Sequence, residues 1–400
     1  ACSPWNDWIC CGRSPALSDK NKDKIDKLLA DLRQQFGENK IMRASEIPVG
    51  PPVSTGSLAL DFATGYGGFP SNRVVEIYGR PGTGKTTLAL TTMLNALAMH
   101  PDKGALFMDV EHKLTKEWMA MIVGEDVMEN RVLYIRPTSI EDATNIYRKA
   151  VESESVCCAI LDSIGGAPTV KRNDDATVGH YGGNAMGVGE FARAAGACAD
   201  VYDCLTIGIN QVRANMGMGY SDETPGGHQW KHTCVLRVEL VRGKDQETIK
   251  LPGEEKPVPI GNTVFAKVRK NQVGAPGRTA HWWFFHEWTE EHGFGIDQLD
   301  EINRLAIKTG VVTRKGGWYH HPALPKDNKG ETKVQGLAGF QKLVKEDESL
   351  RATIVSEVMA SLGDHAGEIA PISDPDAPVE VTGIERLYLE GGGTISGLHD

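Results

Sequence analysis

Short apolar runs alternate with helical patterns between Pro52 and Phe285. The runs that predict strands are "VVEIY", "GALFMDV", "VLYIR", "CCAILD", "LTIGI", "VLRVELV" and "TVFAKV". The helical stretches between them include Lys85–Ala98, Ile140–Glu152 and Gly187–Tyr202. Strands that alternate with helices indicate an α/β domain with a largely parallel, twisted sheet. The last two runs have no helix between them and predict an antiparallel pair at an edge of the sheet.

A separate helix is predicted ahead of this region, from Ser18 to Phe36. Its apolar residues repeat at helical spacing, Ser18 can cap its start, and Gly37 ends it. The helix has one narrow apolar stripe, which must be buried against its own domain or against a neighbouring subunit. The segment "IPVGPP", Ile47–Pro52, then reads as a linker.

A smaller region follows the sheet, over residues 293–363. The stretch "IDQLDEINRLAIKTGVV" is amphipathic, and a second helix is expected over Leu350–Leu362, closed by Gly363. Trp318 and Tyr319 lie between these helices in a glycine-flanked turn or short strand. The region is therefore predicted to be a small α+β domain.

Charge is distributed unevenly along the 400 residues. The net charge of −10 argues at first against a nucleic-acid partner. Residues 364–400, however, hold eight Asp/Glu and one Arg, so this tail carries −7 and the other 363 residues only −3. The tail is predicted to be a disordered interaction or regulatory segment, with simple solubilisation as the alternative.

The eight cysteines do not suggest a disulfide framework in a chain of this length. Buried free thiols in a reducing compartment are expected instead. Cys2 and the "ICC" that ends at Cys11 lack a second ligand cluster, so a disordered leader is favoured over a metal site. Because there is neither a run of 18 apolar residues nor a secretory signal pattern, the sequence predicts a cytoplasmic protein without a membrane partner.

The segment "GRPGTGKT", Gly79–Thr86, matches the phosphate-loop pattern at every fixed position, between a strand run and a helix. Glycines let backbone N–H groups surround a phosphate, and the helix N-terminus adds its positive dipole end. Lys85 can reach the β- and γ-phosphates, and the Thr86 hydroxyl can coordinate Mg²⁺. The alternative, a chance glycine-rich turn, does not explain both flanks. The predicted cofactor-binding residues of the loop are Gly79, Arg80, Pro81, Gly82, Thr83, Gly84, Lys85, Thr86 and Thr87.

Acidic residues end two of the apolar runs. Asp162 ends "CCAILD" and is a candidate for the Mg²⁺ shell. Glu111 follows "ALFMDV" and can polarise the water that attacks the γ-phosphate. Asp109 is its competitor for this role, and a surface salt bridge is the structural alternative for Glu111.

Several motifs in register resemble RecA-type recombinases. The segment "STGSLALDFATGYGGFPSNRVVEIYGRPGTGKTTLAL" is similar to the family's approach to the phosphate loop. The segments "QQFGENKIMR", "FMDVEHKL", "AILDSI", "INQVRANMG", "TPGGHQWKH" and "KVRKNQVGAP" also match, each in the family's place. The similarity covers about Lys20–Leu362. It implies a P-loop RecA-like ATPase core with an N-terminal helix and a small C-terminal domain.

The resemblance further implies a DNA-dependent ATPase that uses ATP and Mg²⁺. Such proteins assemble as filaments on single-stranded DNA and catalyse pairing and strand exchange with homologous double-stranded DNA, in recombination and repair. Loading proteins or single-strand-binding proteins are candidate partners. By the same resemblance Glu111 is the catalytic carboxylate, Gln211 senses the γ-phosphate, and Lys270 reaches the ATP of the adjacent protomer. Thr115 and Trp118 match the adenine-side positions, where an indole can stack on a base.

Three positions depart from the family pattern. Gln272 replaces the usual second lysine after "KN", His228 replaces the usual Asn after Gly-Gly, and Met186 stands where an arginine is usual. The loop that begins at Asn210 is also about two residues short. These departures suggest a divergent bacterial or bacteriophage member.

Strand exchange requires a sequence-independent grip on DNA, made by cations and backbone amides at phosphates. Glycines allow close backbone approach, while Met and Tyr side chains can wedge between bases or stack on them. For each lone cation, a solvated surface charge is the alternative. The segment "HWWFFH", His281–His286, is predicted to be a buried strand and not a stacking platform. The DNA-binding candidates are Lys171, Arg172, Arg193, Arg213, Met216, Met218, Tyr220, Gly226, Gly227, His228, Lys231 and Lys267.

Five regions are predicted. They are a leader over 1–17, the N-terminal helix and linker over 18–47, the ATPase core over 48–290, the C-terminal α+β domain over 291–363 and the acidic tail over 364–400. Two competing functions are a hexameric helicase or other ATPase with the same core, and a non-catalytic paralogue that binds DNA or modulates filaments. The helicase would lack the N-terminal helix and the Gly-Gly loop. The paralogue would lack Lys85, Glu111 or Gln211, and all three are present.

Overall fold

The computed structural model describes residues 19–37, 41–47, 49–169, 183–212, 224–249, 257–289, 293–327 and 329–361. The chain forms two compact units, with the boundary between Val49 and Gly50. The boundary predicted between a core and a C-terminal domain, inside the second unit, stays a prediction. The predicted leader and acidic tail lie outside the described residues. None of the helices in the described part is long and apolar enough to cross a membrane.

The first unit contains the predicted N-terminal helix. Helix α1, Asp19–Phe36, ends at Gly37, whose φ of 100° suits a residue without Cβ. The Gly37 N–H donates to the Arg33 carbonyl at 2.9 Å, which satisfies one of the last helical acceptors. A 3₁₀ turn follows over Ala44–Glu46. The predicted cap, Ser18, lies outside the described residues.

Side-chain bonds fold the segment after α1 back onto the helix. Arg33 donates through Nε to the Ile41 carbonyl at 2.9 Å and through Nη2 to Glu46 at 2.8 Å. Arg43 forms an ion pair with Asp26, seven residues before Arg33 in the same helix. This returning segment does not cover the whole apolar stripe, because Ile25, Leu28 and Phe36 remain exposed in the single chain.

The second unit is built on a sheet of nine described strands in the order β11-β10-β9-β8-β3-β7-β6-β4-β5. Its strands are β3 Val74–Gly79, β4 Gly104–Asp109, β5 Val132–Ile135, β6 Val156–Asp162, β7 Leu205–Gln211, β8 Leu236–Ile249, β9 Val258–Asn271, β10 Thr279–Thr289 and β11 Gly293–Ile296. From β8 to β5 neighbouring strands are parallel, and from β8 to β11 they are antiparallel. A two-stranded ladder, β1 Pro52–Val53 with β2 Phe69–Pro70, precedes this sheet. The predicted mostly parallel α/β core is confirmed.

Helices cover both faces of the sheet, which explains why the central strands are continuous apolar runs. The helices of the second unit that precede β11 are α2 Leu58–Thr64, α3 Lys85–Met99, α4 Lys116–Val123, α5 Glu125–Arg131, α6 Ile140–Glu152, α7 Gly183–Val201 and α8 Gly227–Thr233. Buried residues of α3 belong to one apolar cluster, and those of α6 and α7 to another. Helix α7 begins four residues before the predicted Gly187, with Gly183.

The prediction about the edge of the sheet was half wrong. Strands β8 and β9 are antiparallel, as predicted, but they do not form the edge. Strand β10 pairs with β9, and β11 then forms the outer strand. The segment "HWWFFH" is the middle of β10 and buries Trp282, Phe284 and Phe285, which confirms its assignment as a buried strand. The sequence pattern identified this run as a strand but not its pairing with β9, because local alternation does not show which strands become neighbours.

The C-terminal part contains three helices and a small sheet, as an α+β region should. These elements are α9 Gln298–Lys308, β12 Thr313–Lys315, β13 Trp318–His320, β14 Lys333–Gln335, α10 Leu337–Glu346 and α11 Glu348–Ala360. Trp318 and Tyr319 lie in a short strand, one of the two predicted alternatives. Helix α10 was not predicted. Gly363, the predicted helix stop, lies outside the described residues.

A buried carboxylate joins the C-terminal part to α2. Ser57 caps α2 through a bond from the Leu60 N–H at 3.1 Å. Glu301 of α9 accepts the Ser57 hydroxyl and the Leu58 N–H, the latter at 3.0 Å. Burial raises the pKa of Glu301 well above its ordinary value, and the nearby Asp61 adds to that shift. The N-terminus of α2 therefore has a second capping group, from a helix more than 240 residues later in the chain.

Candidate functional site

The predicted phosphate loop connects β3 to α3. Gly79 ends the strand and Lys85 begins the helix. Lys85 Nζ and the Thr83 hydroxyl both donate to the Arg80 carbonyl, at 2.8 and 2.9 Å. The unpaired N–H groups of the first turn of α3 therefore open onto a tightly curled loop, which is the geometry of an anion site.

Two glycines of this loop are required by close packing. A Cβ at Gly79 would lie 2.2 Å from the Leu240 carbonyl oxygen of the neighbouring strand. Gly84 has a φ of 80°, and its Cβ would lie 3.0 Å from the Phe284 ring. Among the other predicted loop residues, Thr83 and Thr87 are buried, and Arg80, Pro81 and Gly82 are exposed.

The structure brings the two predicted Mg²⁺ residues together. The Thr86 hydroxyl donates to Asp162 Oδ2 at 2.8 Å, where β6 ends. Burial raises the pKa of Asp162 to about 6, although the bond from Thr86 opposes this shift. Hydroxyl and carboxylate oxygens are the ligands that Mg²⁺ prefers, and a cation would offset the cost of the buried charge. The donor set therefore fits Mg²⁺ in composition.

Glu111 is held by three side chains. Its Oε1 accepts from Gln211 Nε2 at 2.6 Å and from the Ser163 hydroxyl at 2.5 Å, while Oε2 pairs with Lys113. Gly166 packs so closely that a Cβ there would lie 2.9 Å from Ser163 Oγ and 3.2 Å from Glu111 Cγ. The ends of β4, β6 and β7 thus converge on one oriented carboxylate.

Asp109, the competing carboxylate, has a different environment. Its oxygens accept from the His112 N–H at 2.7 Å, the Leu114 N–H at 3.1 Å and the Tyr134 hydroxyl at 2.8 Å. The side chain is only 2% exposed. Asp109 therefore shapes the turn that carries Glu111, and its own oxygens are occupied by structural bonds.

The charges of the site favour an ionised Glu111. Burial by itself would raise the pKa of Glu111, but the bonds from Lys113 and Ser163 and the charges of Lys113 and Lys85 more than offset this. Burial lowers the pKa of Lys85, against the opposing pull of Asp162 and Glu111. At neutral pH the site consequently presents a carboxylate that can accept a proton.

Two aromatic rings, one from α4 and one from β11, meet edge to face. Thr115 caps α4 by accepting the Trp118 N–H at 3.2 Å. The Trp118 ring meets Phe294 of β11 edge to face, with centroids 5.1 Å apart. The neighbouring Gly295 has its Cβ position 3.8 Å from Thr87, so β11 lies against the start of α3. The structure thus pairs Trp118 with a ring of the strand that reaches the start of α3.

The predicted DNA segments begin and end close to one another. Residues 170–182 and 213–223 lie outside the described residues, and with them the candidates Lys171, Arg172, Arg213, Met216, Met218 and Tyr220. A Cβ added to Gly165, which precedes the first segment, would lie only 2.6 Å from Pro225, which follows the second. The chain that enters one segment therefore packs against the chain that leaves the other.

The glycine pair after the second segment also meets the start of α7. Gly226 and Gly227 have φ of 106° and 72°, values that disfavour other residues. The Cβ position of Gly227 is 3.5 Å from Ala185 Cβ. Met186, at the position where an arginine was expected by resemblance, is 73% exposed. Small residues therefore leave the backbone accessible between the two helices.

The remaining DNA candidates lie on three elements. Arg193 is exposed on α7, and His228 is exposed on α8 with its ring 6.4 Å from that of His232. Lys231 is half-buried on α8. Lys267 lies on a different element, β9, opposite Glu239 in the ladder. The structure thus groups the α7 and α8 candidates and places Lys267 within the sheet.

Lys270 caps a helix within the chain. Its Nζ donates to the carbonyls of Lys231 and His232 at 3.0 and 2.9 Å, at the C-terminus of α8. Burial lowers its pKa. Gln272, two residues on, is exposed and bonds through its backbone N–H to Val235. A cation at a helix C-terminus is favourable, so Lys270 has a structural contact in the single chain.

Four functional side chains escaped the sequence interpretation. Ser163, Lys113 and Asn210 contact the carboxylate cluster or its flanks, and Phe294 completes the aromatic pair. Ser163 could have been found from its place directly after Asp162. Phe294 carries no local signal, because its partner Trp118 is distant in the chain.

Comparison with known proteins is consistent across the chain. A family model described as the RecA N-terminal domain matches residues 23–287. The chain is 32% identical over 356 residues to Protein RecA of Streptococcus mutans, covering 87% of this chain and 86% of that relative. It is 32% identical over 352 residues to Protein RecA of Leptospira biflexa, with coverages of 85% and 83%. Identity to Protein RecA of Sulfurovum sp. is 32% over 355 residues, with coverages of 87% and 95%.

Proposed function

The chain belongs to the RecA family, and on that premise we propose how its residues bind ATP, Mg²⁺ and DNA. It is a recombinase, a DNA-dependent ATPase with a role in homologous recombination and DNA repair. We further propose that the protein uses Mg²⁺, assembles as a filament and is cytoplasmic, with the residue roles given below. The five described cysteines are free and buried, which supports a reducing compartment.

The phosphate loop binds the triphosphate of ATP. Its N–H groups and the N-terminus of α3 contact the phosphates, and Lys85 exchanges the Arg80 carbonyl for phosphate oxygens. Thr86 and Asp162 hold Mg²⁺, which when bound neutralises charge on the phosphates. Trp118 and Phe294 bind the base, a role supported by their ring pair and by the contact of the next residue, Gly295, with Thr87 in the first turn of α3.

Glu111 acts as the general base. Its pKa lies below the ordinary value, so it is ionised when water must be polarised for attack. Ser163 and Gln211 orient the carboxylate through bonds of 2.5 and 2.6 Å. Gln211 ends β7 and leads into residues 213–223, so a change at the γ-phosphate can alter its bond to Glu111 and the start of that segment.

DNA binds where the α7 and α8 ends meet. The candidates that support this location are Arg193, Gly226, Gly227, His228 and Lys231, which combine positive or titratable side chains with accessible backbone. Lys171, Arg172, Arg213, Met216 and Tyr220 extend the proposed contact from the two adjacent segments. Lys267 is proposed as a contact to a second DNA strand.

Assembly into a filament involves the first unit and Lys270. The exposed Ile25, Leu28 and Phe36 on α1 supply apolar area for a neighbouring subunit. Lys270 is proposed to exchange its α8 carbonyls for the ATP of that neighbour. Loading or single-strand-binding proteins are further proposed partners.

The observation that carries the proposal is the bond between Gln211 and Glu111, because it joins the base to the root of the DNA segment. The decisive test measures ATP hydrolysis with and without single-stranded DNA, and strand exchange with homologous and heterologous duplexes. We expect DNA to stimulate hydrolysis and only the homologous duplex to be exchanged. Electron microscopy with ATP and DNA should show open filaments. Closed rings without strand exchange would instead support a helicase.

A further inference from the structure

A buried ion pair joins the phosphate-loop strand to β8. Glu76 of β3 is fully buried, and its Oε2 accepts from Arg237 Nε. The Arg237 guanidinium also lies 4.8 Å from the centre of the Tyr78 ring. Burial alone would lower the pKa of Arg237, but the charge and hydrogen bond of Glu76 more than offset this, so the pKa lies above its ordinary value. The guanidinium therefore remains charged inside a mostly apolar sheet.

The same two side chains hold both flanks of residues 213–223. On the entering side, Asn210 Nδ2 donates to Glu76 Oε1 at 2.8 Å. On the leaving side, Arg237 Nη2 donates to the Thr224 hydroxyl at 3.0 Å. The Asn210 amide also donates to the Pro225 carbonyl at 2.8 Å and so bonds the two flanks directly.

The Asn210 side chain is continuous with the catalytic cluster. Asn210 Oδ1 accepts the Gln211 N–H at 3.0 Å, and Gln211 in turn bonds to Glu111 at 2.6 Å. The backbone at Gly165 packs tightly against both residues, because a Cβ there would lie 2.6 Å from Pro225 and 3.2 Å from Asn210 Oδ1. A shift of the β7 end therefore strains the bond to Pro225.

We propose that Glu76, Asn210, Arg237 and Thr224 form a positioning network that couples the Gln211–Glu111 pair to the chain entering α8. For stability alone, well-packed apolar residues would serve as well as a buried ion pair or better. This pair is fully bonded only when Thr224 and Pro225 are docked, and an unmet buried donor is costly. The network therefore favours two discrete arrangements, docked and released, over a continuous drift.

The inference rests on the proposed function, since it concerns how ATP and DNA sites communicate. The primary test is Thr224→Val, which keeps the side-chain shape and removes the acceptor for Arg237. We expect hydrolysis without DNA to persist, and the concentration of poly(dT) needed for half-maximal stimulation to rise about tenfold, as for loss of one bond to a charged group. Thr144→Val is the matched control, because this buried hydroxyl bonds only within α6, to Ile140 at 2.7 Å.

A second variant separates coupling from simple damage. Arg237→Lys keeps the positive charge beside Glu76 but loses the geometry that reaches Thr224. If the two residues act together, the double variant should be no worse than Arg237→Lys alone. Additive effects, or unchanged DNA stimulation in Thr224→Val, would overturn the inference. The inference would also be overturned if hydrolysis with DNA and hydrolysis without DNA fell by the same factor while the melting temperature dropped. A wild-type protein without any DNA stimulation would instead refute the proposed function.

Discussion

Gln211 Nε2 lies 2.6 Å from Glu111 Oε1, so the last residue of β7 is bonded to the carboxylate that follows β4. The two residues are 100 positions apart in the chain. Since the Glu111 oxygen is also bonded to Ser163, loss of the Gln211 bond would reorient the carboxylate without releasing it. This relationship makes the catalytic geometry sensitive to anything that displaces the end of β7.

Gln211→Ala should reduce DNA stimulation more than basal hydrolysis. The variant removes the donor at the root of residues 213–223 while Ser163 still holds Glu111. The ratio of turnover with and without single-stranded DNA should fall at least about tenfold, the order of one hydrogen bond to a charged group. Gln341→Ala, on α10, is the control and should keep the wild-type ratio. An unchanged ratio in Gln211→Ala would show that this residue does not carry the signal.

Glu111→Gln should nearly abolish hydrolysis and leave ATP binding intact. The amide has a similar shape but cannot accept a proton, and general-base catalysis contributes about 10²–10⁴-fold. Turnover with DNA and equilibrium binding of a fluorescent ATP analogue measure the two properties separately. Glu117→Gln, an exposed change on α4, is the control. Intact turnover in Glu111→Gln would assign the base to another group.

Trp118→Ala and Phe294→Ala should both raise KM for ATP. Each removes one ring of a pair whose centroids are 5.1 Å apart, and such contacts contribute about 0.5–1.5 kcal/mol, or roughly two- to tenfold. Turnover at saturating ATP should change less than KM, because Glu111 is held by Ser163, Gln211 and Lys113 and not by either ring. Trp318→Ala, in the C-terminal strand β13, serves as the control. Equal KM values in all variants would remove the rings from the proposed base site.

Gln272→Lys should strengthen ATP-dependent assembly. The side chain is exposed two residues after Lys270, so the substitution adds a second cation where the neighbour's ATP is proposed to bind. Light scattering with ATP and DNA, measured across a salt series, should show assembly that survives to higher salt. Gln335→Lys, at an exposed site in the C-terminal part, adds the same charge elsewhere and controls for a general effect of net charge. Weaker assembly in Gln272→Lys would contradict a trans role for this strand.

Asp61→Asn should remove part of the pH dependence of stability. Burial raises the pKa of Asp61 to about 6, so the ionised form is costly in the folded chain. As the pH falls from about 8 to about 5, the folded chain binds a proton that the unfolded chain does not, and the free energy of unfolding rises. As the pH falls over this range, the melting temperature of the wild type should therefore rise relative to that of the variant.

An asparagine at position 61 can keep the hydrogen bonds that Asp61 makes. Asp61 Oδ1 accepts from Thr55 at 2.8 and 2.7 Å, and an Asn oxygen can do the same. Ser54, which donates to Oδ2 at 2.5 Å, can turn its hydroxyl to accept from an amide. A constant difference in melting temperature at every pH would show that Asp61 titrates in its ordinary range.

The parallel core could be predicted from the sequence because its strands are short, buried runs ending at chemically distinctive residues. "VVEIY" before the phosphate loop and "CCAILD" before Ser163 identify both element type and site. The join between Thr86 and Asp162 follows from the rule that parallel strands end at one edge. Local pattern and chemistry agree at these positions, so few alternatives exist.

Other features depend on partners distant in the chain. Nothing near Phe294 indicates that it will meet Trp118, and nothing near Asp109 indicates that the Tyr134 hydroxyl, 25 residues later, will donate to its carboxylate. The outer strand β11 follows an aromatic run whose two faces look alike. Long-range pairing, not local propensity, decides each of these cases.

Glu301 has a consequence for how the chain is made. Its partners Ser57 and Leu58 are 244 and 243 residues away, and every proposed nucleotide contact, up to Phe294, is translated before Glu301. At about 5–20 residues per second, roughly ten seconds to a minute separate the synthesis of α2 from that of its capping carboxylate. The second part of this cap is thus completed only after the ribosome has finished the whole ATP site, so a chain terminated before Glu301 would hold the start of α2 by Ser57 alone, without an acceptor from α9 for the Leu58 N–H.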